Sequence, residues 1–484
     1  MLKMETKINW EDVGFRCGLE IHQELSGNKL FCYCSTDLRE QNKLFEIKRK
    51  LRPSEGEIGE KDLASLFEEQ RNREFIYYGY KNEACLMDTD DEPPHPINQK
   101  ALKTSLEVAL LLKLKIPDEL IVMRKTITNG SCISGFQRTL VVGLGTEQSY
   151  IETSQGRIRI KDLYLEEDSA KIIKTEENKV YYSLSRSGIP LIELGTKADI
   201  KTPKQALEAA QSIGTILRSC NGIKHGIGTI RQDINISIKN HSRIELKGFQ
   251  DLKSMPMVIE TEVLRQLKNK NEDSHVRKVE PDFTSSYLRP MPGSTRLYPE
   301  TDIPHIPITS QLIKSTEIPE LITERALNFE RKYNIQSHYT REIIKENVPF
   351  DYYAEKYKID PKFIAHLLIE IPKELRSRFN IKDDPKKEHF DFILGNIEKN
   401  KIPKEATIEI LKELITGIKP DISKYSIVSL AELEGFIKNL VEENKGVSIS
   451  GLMGDIMKKY RGKVDGSLVM KFLKKYYEES NNDS

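Results

Sequence analysis

Along residues 231–239 the chain reads RQDINISIK, with Ile234, Ile236 and Ile238 on one phase and Asp233, Asn235 and Ser237 on the other. Side chains alternate across a strand. The stretch therefore predicts a strand with one buried face, and SRIELKGF (242–249) predicts its hairpin partner. GLEIHQEL (18–25) alternates too, setting Leu19 and Ile21 against Glu20, His22 and Glu24. Elsewhere the period lengthens. KQALEAAQSIGTILRSC follows Thr202-Pro203, with Gln205 three positions beyond Thr202. That is a capping box with proline at the first helical position, and Asn221-Gly222 marks the helix stop.

Short strand runs alternate with helices up to about residue 308, which predicts an α+β fold with a mainly antiparallel sheet. From 309 the texture changes. TERALNFERKYNIQSHYTREII, DPKFIAHLLIEIPKEL and KEATIEILKELITGI carry apolar positions at helical spacing. GIKPDISKYSI (417–427) holds Gly and Pro and reads as a linker, and a second helical unit follows. The expected domains are 1–308, 309–417 and 418–484.

Composition narrows the class. A chain of 484 residues is long for a single core. Its 75 basic and 74 acidic residues leave no global pull toward nucleic acid, so any such binding needs a local patch. No apolar run approaches the roughly 20 residues that span a bilayer, and MLKMETKINW lacks the apolar core of a signal peptide. Six cysteines in so long a chain make no disulfide framework. A cytoplasmic protein is expected.

Candidate chemistry gathers on the polar phases. Glu20 and His22 share one strand face; alone they read as a solvated surface sooner than as a site. YLEEDSAKI (164–172) adds Glu166, Glu167 and Asp168, and RSGIPLIELGTKADI (186–200) sets Glu193 among Ile189, Leu191, Ile192 and Leu194. A carboxylate in such surroundings needs a cation or strong hydrogen bonds. Carboxylates with one imidazole are hard donors, suited to Mg²⁺ or Mn²⁺ beside phosphate. There is no Walker A sequence and no Gly-rich dinucleotide fingerprint. VMRKTITNGSCISGFQRT (122–139) instead offers cations, hydroxyls and an Asn-Gly turn that could cradle phosphate, or form an ordinary polar loop.

Taken together, GLEIHQEL, LFCYCSTDLRE, CLMDTDDEPPHPIN, VMRKTITNGSCISGFQRT, LEEDSAK, GIPLIEL, GIGTIRQDINISIK, RPMPGSTRLYPETDIP and LMGDIMKKYRGKVDG resemble, in order and nearly end to end, the GatB/GatE family of tRNA-dependent amidotransferase subunits. DEPPHP and SGFQRT resemble its archaeal E form (GatE). The resemblance implies a cradle-shaped kinase domain, an all-α domain and an α-helical YqeY-like tail that binds tRNA. It implies a carbon–nitrogen ligase that uses ATP and Mg²⁺ to phosphorylate the γ-carboxylate of glutamate misacylated onto tRNA(Gln), then amidates it with ammonia.

On this sequence the family's metal and catalytic site falls on Glu20, His22, Glu166 and Glu193, with Glu167 the neighbouring alternative to Glu166. Arg124, Lys125, Ser134 and Gln137, together with Arg231 and Lys247, become candidate nucleotide contacts. The resemblance implies a four-cysteine zinc site, carried by some bacterial relatives, near Cys32, Cys34 and Cys85. Only three cysteines fall here, and PPHP makes His95 a loop residue rather than a fourth ligand, so packing is expected over structural zinc. Cys17, Cys132 and Cys220 read as packing residues. Lys458, Lys459, Arg461 and Lys463, with Lys471, Lys474 and Lys475, form a basic patch on the tail.

No activated Ser, Thr or Cys nucleophile or G-x-S-x-G elbow is apparent for making ammonia. The resemblance names an asparaginase-like amidase, GatD, as partner in a two-plus-two heterotetramer. One departure stands out: KNKNEDSHVRKVEPDFTSS (268–286) fills the place where the E form carries a synthetase-like insertion. A B-type role with another amidase, in Asp- or Glu-tRNA amidation, and a non-catalytic tRNA-binding role are the other readings.

Overall fold

The computed structural model describes residues 8–53, 55, 59–249, 251–269, 272–293, 296–346, 348–381, 383–425, 430–444, 447–460 and 466–482. The chain divides into two compact units at Leu321/Ile322.

The first unit is built on an eleven-stranded sheet. Arg16–Glu24 runs near its middle, flanked antiparallel by Pro190–Thr196 and Ile230–Ser237. Beyond Pro190–Thr196 come Gly156–Glu167, Phe136–Leu144, Met123–Thr126 and Leu297–Pro299, each antiparallel to its neighbour. Beyond Ile230–Ser237 come Ile244–Lys247, His275–Val279 and Ser285–Pro290, with one parallel pair between Ile244–Lys247 and His275–Val279. The expected hairpin forms, with Ile234 opposite Leu246. A smaller sheet of Lys43–Arg49, Glu74–Tyr80, Lys171–Glu176 and Lys179–Ser183 has its own apolar cluster.

One face of the large sheet is sealed by apolar packing. Leu19, Ile21, Leu163, Leu165, Ile192, Leu194, Ile234 and Ile236 are buried in one cluster with apolar positions of the helices Gln99–Leu111, Pro203–Ser219 and Met255–Lys268. Thr202 caps the second of these at the Gln205 amide, as its sequence predicts, and the helix gives way to Cys220 and the positive-φ Gly222. Since the pleat sends alternate residues the other way, sealing that face leaves the polar phases of the same strands together on the other. Between the helix ending at Lys268 and the strand Ser285–Pro290 there is a short hairpin, His275–Val279 pairing with Ser285–Pro290.

The second unit is helical from Ile322, with one apolar cluster over residues 329–411 and another over 433–473. Within the 417–427 stretch, Ile422–Tyr425 forms a turn of 3₁₀ helix, and 426–427 lie outside the described residues.

Candidate active site

The open face of the large sheet carries the candidate groups. Register sets His22 opposite Glu193 on one side and Arg231 on the other, and Glu20 opposite Gly195 and Asp233. One strand further out, Leu191 pairs with Glu166 and Asn235 with Glu245. Glu20, His22, Glu166, Glu193, Asp233 and Glu245 therefore all rise from one face.

They sort into two groups. One ligand atom each from His22, Glu166 and Glu193 lie within 4.8 Å of one another, and so do those of Glu20, Asp233 and Glu245. His22 joins them, its Nε2 3.5 Å from Glu193 and its Nδ1 4.0 Å from Asp233. Lys125 Nζ lies 2.7 Å from Glu166 and 3.8 Å from Glu193. Lys247 bridges Asp233 and Glu245, and Asn235 donates to Glu20 at 3.0 Å. Glu20 thus stands with Asp233 and Glu245. Glu166 faces the cluster, whereas the Glu167 carboxylate accepts from the Arg138 backbone amide at 3.1 Å.

Crowding perturbs Glu20, His22, Glu166 and Glu193. Burial pushes the Glu20 carboxyl up, helped by Glu245, Glu193 and Asp233 against Lys247, to about 7. Burial opposes charge on His22, but Glu193, Asp233 and Glu166 outweigh it and raise the imidazolium to about 9. Burial also raises Glu166, with Lys125 opposing. For Glu193 burial is outweighed by Lys125 and His22, which hold its carboxyl below the usual range. Two carboxylates and an imidazole within reach of one point, with a lysine as counter-charge, are a donor set that fits Mg²⁺ or Mn²⁺.

The candidate nucleotide contacts are placed differently from one another. Lys125, Gln137, Arg231 and Lys247 line the cavity over this face. Each already has a partner: Lys125 the Glu166 carboxylate, Gln137 the Glu167 carbonyl at 2.6 Å, Arg231 Asp168 at 2.9 Å, and Lys247 Asp233 and Glu245. Arg124 lies off the cavity, forked onto Glu300 at 2.8 and 2.6 Å, and Ser134 donates to the Phe136 carbonyl. Asp233 and Glu245 were not singled out in the sequence. They sit on the polar phases of RQDINISIK and SRIELKGF, and only the pairing of those strands with GLEIHQEL brings them to the site.

A separate cluster joins Cys32, Cys34, Cys85 and Asp88, whose ligand atoms lie within 4.8 Å of one another. Three thiols and a carboxylate fit zinc, although both Asp88 oxygens also accept from the buried Lys29 ammonium at 3.0 Å. The fourth group is Asp88; His95 instead packs against the Tyr33 ring at 5.0 Å. Cys17, Cys132 and Cys220 are buried singly.

In the tail, Lys458 and Lys459 are exposed on the helix Ile449–Tyr460, and Lys471, Lys474 and Lys475 on Gly466–Asn482. Lys459 lies 3.8 Å over the Phe436 ring and Lys475 pairs with Glu434 at 3.2 Å. Arg461 and Lys463 lie outside the described residues.

Residues 15–314, the whole span that builds this face, match the GatB/GatE catalytic domain. The chain belongs to the GatB/GatE family. Residues 349–476 match a second family domain, the GatB domain. A relative from Methanocaldococcus jannaschii, named as the E subunit of glutamyl-tRNA(Gln) amidotransferase, is 33% identical over 98% of this chain and 100% of its own. Proteins of that name from Archaeoglobus fulgidus and Methanosarcina acetivorans are 31% and 32% identical over 97% of this chain and 98% of theirs. The M. jannaschii alignment spans 634 positions against a GatB/GatE member of 484 residues, so that relative carries sequence this chain lacks. Among the described residues no helix is long and apolar enough to cross a membrane.

Proposed function

We propose that this chain is the ATP-dependent amidotransferase subunit that converts glutamate misacylated onto tRNA(Gln) to glutamine in the cytoplasm. The observation that carries the reading is the meeting of His22, Glu166 and Glu193 beside Lys125 on the open face of the GatB/GatE catalytic domain. The name of the relatives supplies the substrate.

The γ-carboxylate attacks the terminal phosphorus of ATP, and the bond to the ADP oxygen breaks. The resulting acyl phosphate has a good leaving group, which ammonia displaces with loss of a proton. His22, Glu166 and Glu193 would hold Mg²⁺, with Glu20 beside them, and the ion would neutralise charge on the transferred phosphoryl group. Lys125 keeps a positive charge on the cavity floor. It is poised between two carboxylates and can turn from them to phosphoryl oxygens.

Ammonia comes from a partner amidase, the asparaginase-like GatD, in a two-plus-two assembly. Burial raises the Cys17, Cys132 and Cys220 thiols, which removes them as thiolate nucleophiles. The shortness of this chain beside its E-type relatives also favours a second reading, a B-type pairing with a different amidase.

The purified chain, given Glu-tRNA(Gln), ATP, Mg²⁺ and ammonium chloride, forms Gln-tRNA(Gln). With glutamine or asparagine as the only nitrogen donor it forms none until the amidase is added. Glutamine-dependent product from the chain alone, or no product with ammonium, contradicts the proposal.

A further inference from the structure

Over the open face lies a cavity of ≈ 580 Å³, and a neighbouring one of ≈ 540 Å³ shares part of its wall. The cations on the strands are neutralised in place, as Lys125, Arg231 and Lys247 show. Three arginines are not. Arg243 precedes the strand Ile244–Lys247, Arg289 lies on Ser285–Pro290 and Arg296 precedes Leu297–Pro299. All three line the first cavity, and Arg243 and Arg296 line both. Among the described residues none of the three side chains has an ion pair or a hydrogen bond; Arg243 is exposed, and Arg289 and Arg296 are half-buried. Glu245, Asp62 and Glu68 attract Arg289 only at longer range, while Arg296 repels both Arg289 and Lys125. Burial disfavours the charge on Arg289 further.

Like charges gathered without counter-ions repel one another, and a bound polyanion relieves that repulsion. Arginine's fork matches phosphate oxygens, two donors to one group. The same cavity holds the His22, Glu166 and Glu193 cluster.

We propose that Arg243, Arg289 and Arg296 are the receptor for the nucleotide's triphosphate, a deepening that rests on the ATP-dependent reading above. An RNA backbone is the weaker fit. Backbone grips spread cations along a groove, whereas these three close on one chamber beside a metal-type donor set. A triphosphate concentrates its charge there and meets donors that need break no ion pair to bind it.

The test is equilibrium binding of MgATP and of inorganic tripolyphosphate to the full chain and to Arg243→Ala, Arg289→Ala, Arg296→Ala and the corresponding lysine variants. Each alanine variant weakens both ligands about ten- to a hundred-fold, as removal of a charged hydrogen bond does. The lysine variants recover part of the loss, and affinity for Glu-tRNA stays within about twofold. The lysine variants also serve where an alanine variant fails to fold. Unchanged binding of both probes in all three positions overturns the receptor, as does a loss confined to Glu-tRNA. If the arginines govern tripolyphosphate binding but the chain never amidates Glu-tRNA, the receptor stands and the amidotransferase reading falls. Full transamidation at unchanged ATP dependence in the triple variant is the reverse outcome.

Discussion

Glu20 is a residue whose surroundings change its chemistry. Its carboxyl is raised to about 7 from an ordinary value near 4.5, by burial first and then by Glu245, Glu193 and Asp233. A carboxyl raised in the folded state binds its proton more tightly there than in the unfolded chain. Ionising it therefore costs stability between those two values, and the full cost persists above the higher one. In the presence of a chelator, Glu20→Gln removes that cost. The variant gains on the parent as pH rises from about 4.5 to 7 and is more stable by about 2–3 kcal/mol at pH 8. Thermal unfolding of both proteins at pH 5 and pH 8 measures this, and a difference that does not change with pH contradicts it. The sequence made Glu20 and His22 visible through alternation. It could not divide Glu20 from Glu166 and Glu193, because that division depends on which strands flank GLEIHQEL and in what register. Glu166 and Glu167 show the same limit: neighbouring residues on a strand point opposite ways, and only the pairing with Leu191 shows which of them faces the site.

At the scale of elements, the strong local signals were legible. The alternating isoleucines became the buried phase of Ile230–Ser237, and Thr202 caps its helix at the Gln205 amide, while the Gln205 side chain accepts from the Lys201 amide rather than completing a capping box. Strand order was not legible, since it is a property of long-range pairing. The four-stranded sheet, with its parallel pair of Glu74–Tyr80 and Lys179–Ser183, gave no local sign of itself. One tight joint tests the packing of the large sheet. Gly145 leaves the strand Phe136–Leu144, and a Cβ there runs into the Ile160 carbonyl oxygen on the neighbouring strand. Backbone cannot step aside as a side-chain tip can. Gly145→Ala is expected to destabilise the protein by about 1–3 kcal/mol, read from denaturant unfolding. An unchanged midpoint contradicts this account of the joint.

At the scale of the molecule, the near-even charge hides a local one. Lys458, Lys459, Lys471 and Lys474 are exposed on the last two helices, in a region with its own apolar cluster. We expect truncation from residue 418 to raise the KM for Glu-tRNA and leave ATP binding intact. The slope of log KM against log salt should fall by roughly 0.7–0.9 for each phosphate that the truncated chain no longer neutralises. An unchanged KM and slope would make the lysines a solvated face only. The most direct measurement of the central proposal traps the activated carboxylate itself. The purified chain is incubated with Glu-tRNA(Gln), ATP, Mg²⁺ and hydroxylamine, and the esterified amino acid is recovered. γ-Glutamyl hydroxamate should form with the parent chain, in step with ADP. It should be absent with Glu193→Gln, whose fold is verified by its unfolding curve. Hydroxamate formation by Glu193→Gln at the parent rate, or ADP without hydroxamate in the parent, would contradict the account.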